Sequence, residues 1–357
     1  MRILQLIDSQ EAGGAERMAV NYANALADRI AFSGLVVSRK EGPLLPQVDP
    51  KVSYLFLNKK SPLDLKAVFR LRKFVKAHKV EIVQAHSTSF FTAFLLKIVC
   101  PGIQLIWHDH YGDSAFLSQR PLLVFRICLP FFNGIISVNQ ELKDWASQKL
   151  KSKTVIYLPN FPTTEKCLSN PIILKGENGK RILCLANLRA QKNHMMLLEI
   201  AQRLLKSHPD WSLHLVGKDF EDAYSRQIKD RILALQLEKN VFLYGSKQEV
   251  NAILEQSAIA ILTSQSEGMP MALLEYGRKR KAVVVTSVGE IPALIQNGRN
   301  GFLVPSQDKD QFYESLVRLI EDESLRADFG NALFQTVLQQ YSEETVLKYY
   351  LNWVKTI

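Results

Sequence analysis

The sequence is poor in the features that mark several common classes of protein. Its 357 residues hold four cysteines, with no CxxC pair and no spacing typical of a zinc site, at Cys100, Cys128, Cys167 and Cys184. This pattern argues against a disulfide scaffold or a structural zinc domain and favours a reducing compartment. The composition, 47% hydrophobic and 22% charged residues, is that of an ordinary globular protein and excludes a disordered or fibrous chain.

Long hydrophobic runs are also missing. The N-terminus, MRILQLIDSQ, has a short apolar run that ends at Asp8, so we expect a first strand there and not a signal peptide. A membrane-spanning helix needs about 18 apolar residues, and the nearest stretch, 121–136, is interrupted by Arg126, Pro130 and Gly134. We therefore expect a cytoplasmic protein, either fully soluble or peripheral at the inner face of the membrane.

Acidic residues are scarce in the first half of the chain. Residues 1–160 hold 21 Lys and Arg against 12 Asp and Glu, whereas residues 161–357 hold 24 against 23, so nearly all of the net charge of +10 lies in the first half. This excess predicts an anionic partner for that half, such as an anionic membrane or a phosphorylated ligand. Nucleic acid is not favoured, because no aromatic and basic platform or recognised motif accompanies the charge.

The densest basic run, 66–79, has helical periodicity. An apolar stripe runs along it, and basic residues surround that stripe, which consists of Val68, Leu71, Phe74 and Val75. Two interpretations are open. The helix covers a sheet and has a solvated outer face, or it lies on a membrane surface.

Short apolar strands alternate with helices along both halves of the chain, which is typical of βαβ units and parallel sheets. The alternation pauses in a stretch rich in Pro and Gly between 160 and 180 and then restarts. We therefore predict an α/β protein of two doubly wound, Rossmann-like domains, 1–160 and 161–342, that face each other across a cleft. Ligands of such sheets bind at the carboxyl ends of the strands.

A pair of glycines follows the first predicted strand. Gly13 and Gly14, in the segment GGAER, lie just before a predicted helix. Glycine lets a backbone approach a ligand closely, and a helix N-terminus offers free N–H groups to an anion. The loop lacks the third glycine of GxGxxG, so it does not predict a dinucleotide site. Glycines with a purely structural role are the alternative.

The segment WHDHYG follows another predicted strand. His108 and His110 flank Asp109, a pattern that suggests a metal site. We predict no metal, however, because the sequence offers no third ligand and we expect the two imidazoles to point to opposite faces. One of the two histidines is a better candidate for an acid–base or hydrogen-bonding group near the reaction. A packed histidine bonded to the backbone is the alternative.

Two loops of the second half carry residues that suit a phosphorylated sugar. In NLRAQKN, the guanidinium of Arg189 offers several N–H donors to a diphosphate, and the ammonium of Lys192 offers it a positive charge. In SQSEGMPMALLE, Glu267 lies in a Gly/Pro loop after a strand, and Glu275 lies one turn into the next helix. Carboxylates there can accept hydroxyl donors of a ribose or a sugar ring. A solvated loop and a helix cap are the plainer interpretations.

Taken together, these segments resemble the retaining glycosyltransferases of the GT-B fold, family 4 (glycosyl transferases group 1). The resemblance covers essentially the whole chain and is most specific from Glu267 to Pro305. It implies transfer of a sugar, with retention of configuration, from a nucleotide-diphosphate sugar to a saccharide or lipid-linked saccharide in cell-surface polysaccharide biosynthesis. It also implies that no metal or other cofactor is needed and that the last helix, within 343–357, packs back on the first domain.

The resemblance assigns roles to single residues in the second domain. Glu275 is expected to hold the ribose, Glu267 to contact hydroxyls of the donor sugar, and Lys192 to neutralise the diphosphate. The arginine that usually accompanies this lysine is replaced by Asn187, and Arg189 is expected to substitute for it.

The backbone is expected to contribute to the site as well. Around Gly268, Met269 and Pro270 it is expected to meet the sugar or the phosphate, although a proline offers no N–H. Gly13 and Gly14 are expected to line the acceptor side and to approach the donor phosphate. One histidine of WHDHYG, His108 or His110, is expected to touch the donor sugar or the transition state. It is therefore a candidate catalytic residue, together with Glu267.

The acceptor is expected on the basic first half. A lipid-linked acceptor at an anionic membrane suits both the basic helix 66–79 and the apolar stretch 116–136. Two other function classes stay open: an epimerase or hydrolase of the same fold that consumes the nucleotide sugar without an acceptor, and a non-catalytic anion-binding protein. A dinucleotide enzyme is weakly supported, because the GxGxxG fingerprint and its acidic partner are missing.

Overall fold

The structure is a computed structural model that describes residues 1–11, 13–112, 114–150, 154–163, 172–247 and 249–357, with the backbone alone at 114–116. The chain divides into two compact units. Unit 1 comprises Met1–Thr163 and Glu343–Ile357, and unit 2 comprises Thr164–Ser342. The predicted linker between 160 and 180 falls partly on 164–171, which lie outside the described residues.

Unit 1 contains a seven-stranded parallel sheet. Its strands are β1 (Arg2–Ser9), β2 (Phe32–Lys40), β3 (Ser53–Phe56), β4 (Ile82–His86), β5 (Gln104–Asp109), β6 (Gly134–Ser137) and β7 (Val155–Tyr157). Their order is β3-β2-β1-β4-β5-β6-β7, so the chain reverses its direction of growth between β1 and β4. The central strands are apolar on both faces because helices cover both sides, and Leu4 and Ile7 accordingly enter different core clusters.

The described helices of unit 1 are α1 (Gly14–Ala27), α2 (Leu65–Ala77), α3 (Phe90–Val99), α4 (Leu123–Cys128), α5 (Gln140–Lys149) and the last helix of the chain, α13 (Glu343–Val354). Helix α2 begins at its N-cap Asp64, whose carboxylate accepts from the Ala67 N–H at 3.0 Å. In the predicted stripe of α2, Val68, Leu71 and Val75 are buried and Phe74 is half-buried. Helix α13 packs in unit 1, where the ring of Tyr350 lies 5.0 Å from that of Tyr22 on α1.

Unit 2 contains a six-stranded parallel sheet. Its strands are β8 (Arg181–Leu185), β9 (Ser212–Val216), β10 (Val241–Leu243), β11 (Ile259–Leu262), β12 (Ala282–Thr286) and β13 (Phe302–Val304), in the order β10-β9-β8-β11-β12-β13. The described helices are α6 (His194–Ser207), α7 (Ala223–Ala234), α8 (Val250–Glu255), α9 (Met271–Arg278), α10 (Ile291–Leu294), α11 (Lys309–Glu321) and α12 (Glu323–Gln340).

Both sheets confirm the predicted pair of parallel-sheet α/β domains. In each, the strand order reverses next to the first strand, between β1 and β4 in unit 1 and between β8 and β11 in unit 2. The loops that leave the carboxyl ends of these strands diverge there and leave a crevice, which is where open α/β sheets bind ligands. None of the helices in the described parts of the chain has the length and hydrophobicity needed to cross a lipid bilayer.

Candidate functional site

An ion pair occupies the switch point of unit 2. Lys192 lies in the loop after β8 and Glu267 in the loop after β11, and Lys192 Nζ is 2.6 Å from Glu267 Oε1. The side chains are 19% and 6% exposed, so both charges are largely removed from water. The Ser264 hydroxyl donates to the same carboxylate oxygen at 2.6 Å. The structure thus brings together two residues that the sequence analysis selected from separate loops.

Backbone and side-chain hydrogen bonds hold the two loops to each other. The Gln265 N–H donates to the Gln191 carbonyl at 2.7 Å, and the Thr263 hydroxyl lies 3.0 Å from the Lys192 carbonyl. Asn193, the residue before α6, adopts a left-handed conformation with φ of 54°, which asparagine tolerates better than most residues. This sharp turn lets the Lys192 loop pass directly into the helix.

A third loop, after β12, supports the Glu267 loop. The Thr286 hydroxyl donates to the Ser264 carbonyl at 2.6 Å, and the Glu290 N–H donates to the Gly268 carbonyl at 3.3 Å. Gly289 has φ of +53°, and a Cβ at this position would lie 1.9 Å from the carbonyl oxygen of Glu267. Only glycine therefore permits the observed approach of the two loops.

The other residues predicted in the segment SQSEGMPMALLE lie on the Glu267 loop and on the helix that follows it. Gly268, Met269 and Pro270 are buried, and Pro270 directly precedes the first turn of α9. Glu275 is half-buried on α9, just over one turn from its start. The loop backbone and Glu275 therefore belong to one short, well-packed segment that begins at the carboxyl end of β11.

Arg189 occupies a different environment from Lys192. It is exposed, and its guanidinium lies over the Phe220 ring at 4.4 Å from the centroid. Asn187, which replaces the expected arginine, accepts from the Lys218 N–H through Oδ1 at 2.7 Å and so joins the loops after β8 and β9. The expectation that Arg189 takes over the role of that arginine stays untested. In this structure Arg189 packs on an aromatic ring.

In unit 1 the predicted glycines lie at the start of α1. Gly13 precedes the helix in an extended conformation, and α1 begins at Gly14. A Cβ on Gly13 would meet the Glu16 carboxylate, whose Oε1 accepts from the Ser9 hydroxyl at 3.1 Å. Helix α1 thus presents its first N–H groups at the switch point of the sheet.

The two predicted histidines of unit 1 lie side by side. His108 and His110 have ring centroids 3.9 Å apart. The expectation that they point to opposite faces was wrong, because residues i and i+2 of an extended chain project to the same side. They differ in access to solvent, since His108 is fully buried whereas His110 is half-buried. Asp109, between them, projects the other way and accepts a bidentate pair of bonds from half-buried Arg120 at 2.6 and 2.9 Å.

A third histidine, His86, completes a cluster that sequence reasoning missed. It ends β4 and pairs in register with His108 on β5. One ring nitrogen from each of His86, His108 and His110 lies within 4.8 Å of the others, so the set could hold a metal ion. The lack of a third ligand was therefore not a valid reason to predict no metal, and that prediction stays untested. The available signal was the position of His86 at the carboxyl end of the neighbouring strand.

Burial keeps all three rings neutral. It lowers the pKa values of His86 and His108 well below the usual value, with a further contribution from neighbouring histidines. It lowers the pKa of His110 to about 3. A neutral imidazole carries one N–H and one acceptor nitrogen, so each ring can both donate and accept a hydrogen bond.

Two family models match the chain, one on each side of residue 166. Residues 12–166 match the Glycosyltransferase Family 4 model, and residues 166–335 match the model described as Glycosyl transferases group 1. An uncharacterized glycosyltransferase from Haemophilus influenzae is 27% identical over 325 residues, which cover 88% of each chain. The UDP-Gal:α-D-GlcNAc-diphosphoundecaprenol α-1,3-galactosyltransferase of Escherichia coli is 26% identical and covers 87% of this chain and 86% of its own.

The fold also agrees with that of a solved structure. Anabaena Alr3699/HepE in complex with UDP and glucose superposes with a TM-score of 0.80 at 16% identity and covers 100% of both chains. This likeness supports the GT-B fold for the two parallel-sheet units. Of the function classes left open by the sequence, the family matches select the transferase. The chain is a GT-B glycosyltransferase and belongs to the glycosyl transferases group 1.

Proposed function

We propose that this glycosyltransferase moves a sugar from a uridine-diphosphate sugar to a lipid-linked saccharide, with retention of anomeric configuration, in the synthesis of a cell-surface polysaccharide. The observation that carries the donor side is the buried Lys192–Glu267 pair at the switch point of unit 2. The names of two similar proteins support the details: HepE was solved with UDP and glucose, and the Escherichia coli relative uses UDP-Gal and a diphosphoundecaprenol acceptor.

The pair supplies both kinds of group that a sugar diphosphate requires. The Lys192 ammonium compensates the negative charge that grows on the diphosphate as it leaves, and a cation in a water-poor site does so strongly. Lys192 and Ser264 already orient Glu267, whose carboxylate accepts hydrogen bonds from hydroxyls of the donor sugar. Glu275 on α9 accepts the ribose hydroxyls, and Arg189 adds a second cation for the diphosphate.

The reaction needs no metal in this scheme. The N–H groups at the start of α9, in the segment of Gly268 and Met269, and those of α1 after Gly13 and Gly14 are donors for phosphate oxygens. His110, the half-buried member of the histidine cluster, is the better placed of the two predicted histidines to contact the sugar, whereas His108 is fully enclosed.

A thermal-shift experiment without added metal tests the donor site. UDP at about 100 times its dissociation constant should stabilise the protein by roughly 2.7 kcal/mol, whereas GDP and ADP should not. Lys192→Ala and Glu275→Ala should lose the shift. Lys279→Ala, which removes an exposed ion pair with Glu255 elsewhere in unit 2, is the matched control and should keep it. Absence of a shift with any nucleotide, or its retention in both variants, would contradict the proposal.

The acceptor side rests on a surface formed by three helices of unit 1. The inner faces of α2, α3 and α4 pack on one core cluster, so their outer faces lie on the same side of the sheet. Helix α3 lies between the other two. Large apolar side chains are exposed along these helices and just after α4, at fractions of 45% to 72%, and they are Leu65, Phe69, Ile98, Leu123, Val124, Ile127 and Phe131. We call this the apolar-basic surface.

The charge of the apolar-basic surface has one sign. None of the three helices contains an acidic residue, whereas α2 alone carries Lys66, Lys73 and Lys76 at exposed positions and α4 carries Arg126. Exposed apolar side chains with a basic surround suit the headgroup region of an anionic bilayer. A surface of this kind would keep the enzyme where a lipid-linked acceptor is found. The predicted stretch 116–136 contributes through its part from Leu123 to Phe131.

A further inference from the structure

A row of buried polar side chains crosses the middle of the sheet in unit 1. Gln5 on β1 pairs in register with Gln84 on β4, and His86, two residues on, pairs with His108 on β5. All four are 0% exposed. Buried polar side chains normally have at least one hydrogen-bond partner. The row ends at His110, which is the member nearest to solvent.

The hydrogen bonds form two separate chains. His86 bonds through Nε2 to Gln5 Oε1 at 2.8 Å and through Nδ1 to His110 Nε2 at 2.9 Å. His108 bonds through Nδ1 to the Gln84 amide nitrogen at 2.9 Å. Each of the two strand-borne histidines is therefore held by its own glutamine, and only the chain that begins at Gln5 reaches His110.

The direction of the first chain follows from hydrogen-bond chemistry. An amide oxygen only accepts, so the Nε2 of His86 must carry its proton. A neutral His86 then has a bare Nδ1, which can only accept from His110. His110 in turn carries its proton on Nε2 and has a bare Nδ1. The choice of tautomer is thus transmitted from a fully buried amide to a half-buried imidazole.

We propose that Gln5 and His86 are positioning residues that fix His110 in the Nε2–H tautomer and leave its Nδ1 as a hydrogen-bond acceptor. Under the proposed function, on which this last step rests, that acceptor receives a hydroxyl hydrogen of the donor sugar. In the opposite tautomer Nδ1 would carry a proton. It could then only donate to the hydroxyl oxygen and could not accept the hydroxyl hydrogen. Gln5 therefore determines whether His110 Nδ1 binds a hydrogen-bond donor or an acceptor.

Nitrogen NMR of ¹⁵N-histidine-labelled full-length protein tests the assignment without any ligand. A protonated and a bare imidazole nitrogen resonate in well-separated regions, and His86→Gln and His110→Gln variants assign the signals. We expect Nε2–H and bare Nδ1 for both His86 and His110. In Gln5→Leu the pattern should be lost, with both tautomers populated at His110.

The matched control is Gln84→Leu. It removes an equally buried amide from the adjacent strand, but that amide bonds to His108, so the tautomer at His110 should not change. If Gln5→Leu does not fold, the wild-type spectrum still decides. An Nδ1–H tautomer at His110 would overturn the proposal, as would a tautomer unaffected by Gln5→Leu.

Metal analysis of the same samples provides a second decisive result. A bound transition metal in stoichiometric amount would mean that the three histidines are ligands, and the proposal would then be wrong. Because these readouts need neither donor nor acceptor, they are independent of the thermal-shift result. A failure of UDP to bind would refute the proposed donor but would leave the fixed tautomer standing.

Discussion

At Lys192 and Glu267 a cation and an anion share a site from which most water is excluded, so each depends on the other for its stability. Lys192→Ala leaves a carboxylate that is 6% exposed without its ammonium partner. We expect this variant to lose about 2 kcal/mol of unfolding free energy. Adding Glu267→Gln should recover most of the loss, because the neutral amide needs no cation. Chemical denaturation of the three variants in a double-mutant cycle measures the coupling.

The exposed pair of Lys279 and Glu255 gives the comparison for that cycle. Their charged atoms are 2.7 Å apart, as close as in the buried pair, but the side chains are 26% and 65% exposed. Removing Lys279 should cost less than about 1 kcal/mol, since water and salt screen such pairs. Equal losses at the two sites would show that burial of the Lys192 pair has no energetic consequence.

Gly289 permits a second residue-scale prediction. A methyl group there would lie 1.9 Å from the Glu267 carbonyl oxygen, and the residue also has a positive φ. Gly298 has φ of +75° with nothing within 4 Å of the added Cβ. Gly298→Ala should therefore cost about 1 kcal/mol from backbone conformation alone. Gly289→Ala should cost clearly more and should weaken UDP binding, because the Glu267 loop must shift. Denaturation and the thermal-shift assay measure both effects.

The histidines mark the limit of sequence reasoning at this scale. Lys192 and Glu267 could be selected because each follows a strand in a loop of recognisable composition. The contribution of His86 depends on β4 and β5 being neighbours in register, which no local pattern encodes. The roles of Gln5 and Gln84 could not be predicted either. The hydrogen-bond partner of an amide inside an apolar strand depends on which strand lies beside it.

The positions of strands and helices could be predicted better than the contacts of the polar side chains that they carry. The apolar runs of both halves predicted the strands of both sheets, because parallel strands covered on two faces must be apolar throughout. The stripe of α2 likewise predicted its buried face, and the structure confirms it. What periodicity could not supply was the outer face of α2, where Leu65 and Phe69 are exposed beside the lysines. Side chains there contact no part of the core that would enforce a pattern.

Strand β9 carries a group whose titration should affect stability. His214 is fully buried, with Nε2 2.9 Å from the Ser212 hydroxyl and Nδ1 3.1 Å from that of Tyr244. Burial, with the positive charge of Arg181, lowers its pKa to about 4. Below pH 6.5 the unfolded chain binds a proton that the folded chain refuses, so acidification should destabilise the protein. The loss from this residue should be about 1.4 kcal/mol per pH unit between 6.5 and 4.

The His214→Gln variant isolates that contribution. Glutamine keeps hydrogen-bonding capacity but does not titrate, so its unfolding free energy should fall less steeply with acid than that of the wild type. Above pH 7 the two proteins should show the same pH dependence, because His214 is neutral in both states there. Parallel curves from pH 7 down to 4.5, measured by urea denaturation, would rule out a role for His214 in acid sensitivity.

For the molecule as a whole, the structure shows where part of the basic excess of the sequence lies. The excess of basic residues within 1–160 could be counted from the sequence, but its meaning depended on which helices share a side of the sheet. The structure puts α2, α3 and α4 over one core cluster and thereby gathers their basic and apolar side chains on one surface. The buried polar row of Gln5 and His86 lies on the strand face that carries Ile3 and Ile7, opposite to Leu4 and Leu6. The apolar-basic surface and the buried polar row thus lie on opposite faces of the same sheet.

The apolar-basic surface belongs to unit 1, whereas Lys192 and Glu267 belong to unit 2. We therefore predict that the proposed membrane attachment can be removed without disturbing the donor site. Full-length protein should bind vesicles that contain phosphatidylglycerol, bind pure phosphatidylcholine weakly and dissociate at high salt. Replacing Lys66, Lys73 and Lys76 by Ser should weaken binding about 100-fold, at about 1 kcal/mol for each lysine. Phe69→Asp should weaken it further, whereas Leu233→Asp on α7 of unit 2, where the side chain is 59% exposed, should have no effect. UDP should still stabilise every variant. Equal binding to neutral vesicles, or sedimentation unaffected by the lysine replacements, would refute the apolar-basic surface as the attachment site.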